Sequence, residues 1–175
     1  MALNIFKGNK IRCFEVVPDN IKPSCEQFTN DLKKQRKSME ITDKADCKAV
    51  LFYQPIVSRA GTDIEGALQK ISNEYEEKYV ALVVLHHTFD PECIVPDSKR
   101  AVNIQNNEKP EKRLVVDCLF HEDSGLLKCR MNNEAKKEVA KWLREVKHKR
   151  NKKQQKDTKQ KKDKKKQPDE EQKKR

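Results

Sequence analysis

The residues able to do chemistry fall into three short stretches of this 175-residue chain. They are Ser58-Arg59-Ala60-Gly61-Thr62-Asp63, His86-His87-Thr88-Phe89-Asp90-Pro91 and Asp117-Cys118-Leu119-Phe120-His121-Glu122-Asp123. Histidine beside carboxylate can move protons near neutral pH. A cationic Arg59 at the start of a helix, where backbone amides are free and the dipole is positive, can hold a phosphate or carboxylate. Ser58, Arg59, Gly61, Thr62, His86, His87, His121 and Glu122 are therefore the candidate ligand-binding residues. A plain reading competes at the first stretch. Asp63 and Glu65 already bring negative charge to that helix start, and Gly61 would serve an ordinary strand-to-helix turn. Adjacent histidines point to opposite faces of an extended chain, so only one of His86 and His87 can share a cleft with His121 and Glu122. The same alternation puts Asp117, Leu119 and His121 on one side of their strand, and Cys118, Phe120 and Glu122 on the other.

Complete catalytic motifs are missing from the sequence. The four glycines, Gly8, Gly61, Gly66 and Gly125, have neither the spacing of a phosphate-binding loop nor that of a dinucleotide fingerprint. No G-x-S-x-G elbow presents a serine nucleophile. A caspase-like dyad of Cys118 or Cys93 with His86 or His87 lacks the Q-A-C-x-G motif, and Cys118 sits in an apolar run where a thiol is inert. The six cysteines form no C-x-x-C pair, and Cys47 and Cys118 read as core thiols. Cys93 and Cys129 read as loop residues that could join His86, His87 or His121 around zinc, but no paired ligand spacing supports it. Neither cofactor nor metal is expected.

The elements that must position these residues follow from periodicity. Residues 11–17 alternate and end at Pro18, as a first strand would. Residues 24–37 read as a polar helix capped by Ser24, with Phe28 and Leu32 on one face and Lys33, Lys34, Arg36 and Lys37 solvated. Residues 48–57 form a continuous apolar run, as in a buried parallel strand. Thr62-Asp63-Ile64-Glu65 reads as a capping box opening a helix to about residue 77. Residues 79–87 are the most apolar stretch and predict a central strand, and 113–120 predict the next. Residues 92–111, with Pro96 and Pro110, read as a long surface loop. A last helix over 133–147 presents Ala135, Val139, Trp142, Leu143 and Val146 on one face. Strands alternating with helices predict an α/β fold: an open three-layer sandwich on a mostly parallel sheet of four or five strands. Ligands of such sheets bind outside the carboxyl ends of the strands, where all three chemical stretches fall.

Charge divides the chain. Lys+Arg number 39 against 28 Asp+Glu, a net of +11. Residues 147–175 hold 15 of these bases and 5 of the acids, leaving 24 and 23 in 1–146. The domain reading is one α/β domain over 1–147 and a lysine-rich tail over 148–175. The tail has no Val, Ile, Leu, Phe, Met, Tyr or Trp to offset the entropy of ordering, so disorder is expected. Its partner must be attracted by charge: RNA or DNA, an acidic protein surface or an anionic membrane. Lys161, Lys162, Lys164, Lys165 and Lys166 form its densest run, which also reads as a nuclear-import signal. Without interleaved aromatics, nucleic-acid binding would be sequence-blind; a merely solubilising tail is the competing reading. No signal peptide or membrane span is legible, which predicts a cytoplasmic or nuclear protein with reduced thiols.

Three stretches carry a resemblance: Pro55 to Glu65 (PIVSRAGTDIE), Val84 to Pro91 (VLHHTFDP) and Val116 to Asp123 (VDCLFHED). Over about residues 47–146 the chain resembles a family of small intracellular proteins expanded in bony fishes, of the grass carp reovirus-induced type. The resemblance excludes the tail and carries over no active site. It implies an innate immune or antiviral role for an interferon- or virus-induced protein. The leading expectation is a non-enzymatic binding protein whose body takes a protein partner or small anionic ligand. The alternative is an enzyme or nucleotide sensor with Arg59, His86 or His87, His121 and Glu122 in one cleft.

Overall fold

A computed structural model describes residues 10–105 and 110–164. The chain runs β1 (Ile11–Val16), a 3-10 turn (Asp19–Ile21), α1 (Lys22–Gln35), β2 (Met39–Ile41), β3 (Ala49–Pro55) and α2 (Ala60–Tyr75). It continues β4 (Tyr79–His87), α3 (Ser98–Gln105), a 3-10 turn (Pro110–Lys112), β5 (Arg113–His121), β6 (Gly125–Leu126) and α4 (Arg130–Lys164). The strands form one sheet in the order β2-β1-β3-β4-β5-β6. β1 to β5 are parallel and β6 is antiparallel to β5.

The apolar runs in β3 and β4 arise because both faces of the sheet are covered. Leu51, Tyr53, Ala81, Val83 and Leu85 pack with Phe28 and Leu32 of α1 and with Val139, Trp142 and Leu143 of α4. Alternate residues Val50, Phe52, Val80, Leu82 and Val84 pack with Ile64, Leu68, Ile71 and Tyr75 of α2. The strand order reverses at β1 and β3: α1 leads from β1 outward to β2, and α2 leads from β3 across to β4. A crevice therefore opens at the carboxyl ends of β1 and β3.

The α/β class and parallel sheet agree with the sequence reading, but the architecture differs in detail. The sheet has six strands rather than four or five, and it curls into a half-barrel instead of lying flat as a sandwich. The added strands, β2 and β6, are only three and two residues long. The loop expected over 92–111 contains α3. α1 starts at Lys22 with proline in its first turn, and Ser24 is buried rather than capping. Arg36, expected in solvent, is buried at the end of that helix. α2 starts at Ala60, two residues before the expected cap, so Thr62 and Glu65 lie inside the helix and the capping box does not form. Cys129 lies in the connection before α4, as expected, and is buried there.

α4 runs past residue 147 to Lys164, and the last of its described side chains in the core is Val146. The expected tail thus begins within the helix, and its Lys165 and Lys166 lie outside the described residues. Among the described residues no helix is long and apolar enough to cross a membrane.

Candidate functional site

β4 and β5 run side by side to their carboxyl ends, with His86 beside Leu119 and His87 beside Phe120. The pleat then separates the two histidines. The Nε2 of His86 lies 2.8 Å from Asp117 Oδ1, in a pair whose side chains are only 8% and 13% exposed. The carboxylate can only accept, so His86 carries its proton on Nε2. Asp117 also accepts from the Ser98 hydroxyl at 2.6 Å and the Ser98 amide at 3.1 Å. Burial pushes Asp117 upward, yet the hydrogen bonds from His86 and Ser98 outweigh it and hold the carboxyl below its ordinary range. This network caps α3 and anchors it to β5.

His87 takes the other face. Its ring meets Phe120 edge-on at 5.5 Å between centroids, and its Nε2 lies 2.8 Å from Glu122 Oε2. His121 closes the group, its ring 5.0 Å from that of His87 with the planes 30° apart. One ligand atom from each of His87, His121 and Glu122 lies within 4.8 Å of the other two. Strict alternation would put His121 and Glu122 on opposite faces. The strand ends at His121, however, and Glu122 begins the turn to β6, so both reach His87. The Asp123 amide donates to His121 Nδ1 at 3.3 Å, which leaves the His121 proton on Nε2. The Asp123 carboxylate stands 3.8 Å from the same Nδ1.

The remaining candidates sit elsewhere. The carboxylate of Asp63 accepts from the amides of Val57 and Ser58 at 2.8 and 2.9 Å, and from the Ser58 hydroxyl at 3.1 Å. Hydrogen bonds from the Ser58 amide, then from Val57, hold Asp63 below the ordinary carboxylate range despite some burial. The amides of Val57 and Ser58, just before the helix, thus already hold the chain's own carboxylate. Gly61 lies in the first turn of α2, where an added Cβ would meet open space, so no special backbone freedom is used there. Arg59 is exposed at the start of α2, whose core face is on the sheet side opposite Phe120. Thr62, with Gln54, Asp63 and Lys70, lines a cleft of about 440 Å³ at the carboxyl ends of β1 and β3. The expected gathering is therefore met for His87, His121 and Glu122, while His86 turns to Asp117 and Thr62 belongs to the switch-point cleft.

No thiol completes a dyad with these histidines. Cys118 is fully buried on the α1–α4 side, with its thiol pushed far above the ordinary range by burial and then by the charge of Asp117. Cys93 lines a second cleft of about 450 Å³ between the 91–99 segment and α4, with Asp97, Lys99, Arg130 and Glu138.

Sequence reasoning missed Asn132. It is fully buried in the first turn of α4. Its Oδ1 accepts from the Leu119 amide at 2.7 Å, and its Nδ2 donates to the carbonyls of Leu119 and Leu127 at 2.7 and 2.8 Å. An asparagine one turn before an apolar helix face is the signal that marks it. Gly125 was also missed as a structural requirement: its φ is 69°, and a Cβ there would come within 2.8 Å of Gln27 Oε1. Together these residues fix the turn that carries Glu122 and Asp123. Comparison of the sequence with protein-family models and with curated proteins gives no match.

Proposed function

We propose that this chain is a non-enzymatic binding protein of innate immune or antiviral defence, with a balanced folded body and a basic extension that adds affinity for nucleic acid. The observation that carries the reading is the charge division: 24 bases against 23 acids through residue 146, then 15 against 5. A surface with that excess attracts polyphosphate irrespective of sequence, with an affinity that falls steeply with salt. The defence role rests on the resemblance carried by the stretches around Arg59, His87 and His121. The body contributes its carboxyl-end edge, where Val57, Phe89 and Ile94 are large apolar residues left in solvent. Such side chains beside a histidine–carboxylate group suit a protein partner or a small anionic ligand better than a reaction. The histidines are paired with carboxylates rather than with a nucleophile.

The test is fluorescence anisotropy of a labelled single-stranded RNA with the full chain and with a chain ending at residue 150. Full-length protein is expected to bind with a log–log salt slope of several units, and the shortened chain to lose that binding. Equal binding by both would overturn the assignment to the extension. A nuclear or cytoplasmic location is part of the same reading, and fluorescence microscopy of the tagged full chain against one lacking 161–166 tests it.

A further inference from the structure

We propose that His87, His121 and Glu122 form a binding site for a divalent cation of the zinc class, with a fourth position open to solvent. Two imidazoles and one carboxylate are the ligand set of open zinc sites, and imidazole favours zinc, copper and nickel over magnesium or calcium. Bonds of about 2.0–2.2 Å around a tetrahedral zinc ion need donor atoms roughly 3.5 Å apart. The three donors stand within 4.8 Å of one another, and the His87–Glu122 pair is already at 2.8 Å. Closing the set needs only small rotations. The side chains of His87 and Glu122 are 45% and 70% exposed, so they can make them.

Four further features favour a cation. His87 is steadied by the edge of Phe120, which fixes its ring near the strand end. Its proton is shared with Glu122, and a metal ion would take the place of that proton between the same two atoms. Ligating histidines characteristically donate their other ring N–H to a carboxylate. For His121 to ligate through Nε2 its proton must move to Nδ1, giving up the hydrogen bond from the Asp123 amide, and Asp123 Oδ2, 3.8 Å from Nδ1, is the carboxylate oxygen that a small rotation would bring to receive it. The site also stands on fixed elements, since Asn132 clamps the backbone at Leu119 and Leu127 on either side of the turn. It uses no residue beyond Asp123 as ligand or ligand partner, so it is independent of nucleic-acid binding by the basic extension.

The experiment titrates the full-length, reduced protein with Zn²⁺ in competition with a chromophoric chelator, and repeats the titration with Co²⁺ to read the ligand-field bands. One equivalent of Zn²⁺ is expected to bind. His121→Ala and Glu122→Gln should each weaken it at least tenfold while leaving the circular dichroism spectrum unchanged. Asp123→Asn should weaken it less, as a partner of a ligand does. Cys93→Ser and His148→Ala should bind as the unsubstituted chain does. A stoichiometric site that survives His121→Ala, or that is lost in Cys93→Ser, would overturn the assignment, as would the absence of any stoichiometric binding at micromolar Zn²⁺.

Discussion

His86 and His87 are consecutive in β4, yet each ends 2.8 Å from a different carboxylate, Asp117 for the first and Glu122 for the second. The pleat of one strand thus divides two adjacent imidazoles between structure and surface. His86 lies under α3 in a closed network, whereas His87 meets solvent. The two histidines should respond differently to substitution.

Removing Asp117 tests the structural half. Asp117→Ala leaves the Ser98 amide and the proton of His86 without an acceptor in a site closed from water. Breaking a buried, hydrogen-bonded pair by deleting one partner costs about 3 kcal/mol. Urea unfolding should show a loss of that order, and the amides of α3 should exchange faster than those of α2. His87→Ala, by contrast, should change stability by less than about 1 kcal/mol, as expected of an exposed pair.

Acid should destabilise the protein below the ordinary carboxylate range. Asp31, Asp63 and Asp117 are all held below their usual pKa, Asp31 first by its hydrogen bond from Lys136 and then by that from Lys34. A depressed folded pKa means that the unfolded chain takes up protons first. The stability these groups contribute is therefore complete above about pH 4–5, and is lost as pH falls through their folded values. Urea midpoints measured from pH 6 to pH 2.5 should fall toward acid. Asp31→Asn should flatten that dependence, because it also removes the ionic tie between α1 and α4.

Thiol reactivity separates the six cysteines. Cys13 and Cys25 are pushed up to about 12, in each case by burial above all and then by nearby negative groups, while Cys118 is pushed higher still. The thiolate is the reactive form, so these three are inert at pH 8. Cys47 and Cys129 are also buried, whereas Cys93 is partly exposed. Iodoacetamide at pH 8 followed by peptide mass spectrometry should find Cys93 alkylated first in the native protein. All six should react in guanidinium.

What the sequence reveals of this fold depends on the range of the interaction responsible. β4 and β5 are legible because both faces are covered, which buries nearly every residue of β4 and leaves none of β5 fully exposed. β2 and β6 are too short for any period to register. α3 is hidden because its cap is Asp117, nineteen residues downstream, rather than a residue beside it. The same limit governs the site. Alternation separates His86 from His87 correctly, since both lie within a regular strand. It fails at His121 and Glu122, where the strand gives way to a turn shaped by Gly125 and clamped from α4 by Asn132. The convergence of three ligand atoms is thus a product of tertiary contacts that no local spacing encodes.

The turn itself can be tested through Gly125. At a φ of 69° any Cβ is strained, and here it would also come within 2.8 Å of the Gln27 side-chain oxygen that accepts from the Leu126 amide. Gly125→Ala should cost about 1–2 kcal/mol, from the left-handed backbone together with displacement of Gln27. Chemical denaturation measures that cost. If the turn carries Glu122 to His87, Zn²⁺ affinity should fall in the same variant while the β4 and β5 amides remain protected from exchange.

The extension of α4 offers the last prediction. Beyond Val146 none of the described side chains of the helix joins the core, although the Lys149 ammonium lies 6.0 Å from the centre of the Tyr79 ring. Residues 148–164 carry nine Lys or Arg against two Asp, and Lys149/Lys153 and Lys152/Lys156 fall four apart in sequence. Like charges at that spacing cost a helix about 0.2–0.5 kcal/mol per pair. Without an apolar face, a helix there has only intrinsic propensity to sustain it, and isolated helices of this length are marginal in water. Deleting 151–175 should therefore leave the unfolding free energy unchanged within about 0.5 kcal/mol. Binding of a polyanion neutralises the repulsion, so adding single-stranded RNA to the full chain should raise the helical circular dichroism signal at 222 nm. The shortened chain should show no such rise. A body that loses stability on that deletion would instead mean that the extension packs against it.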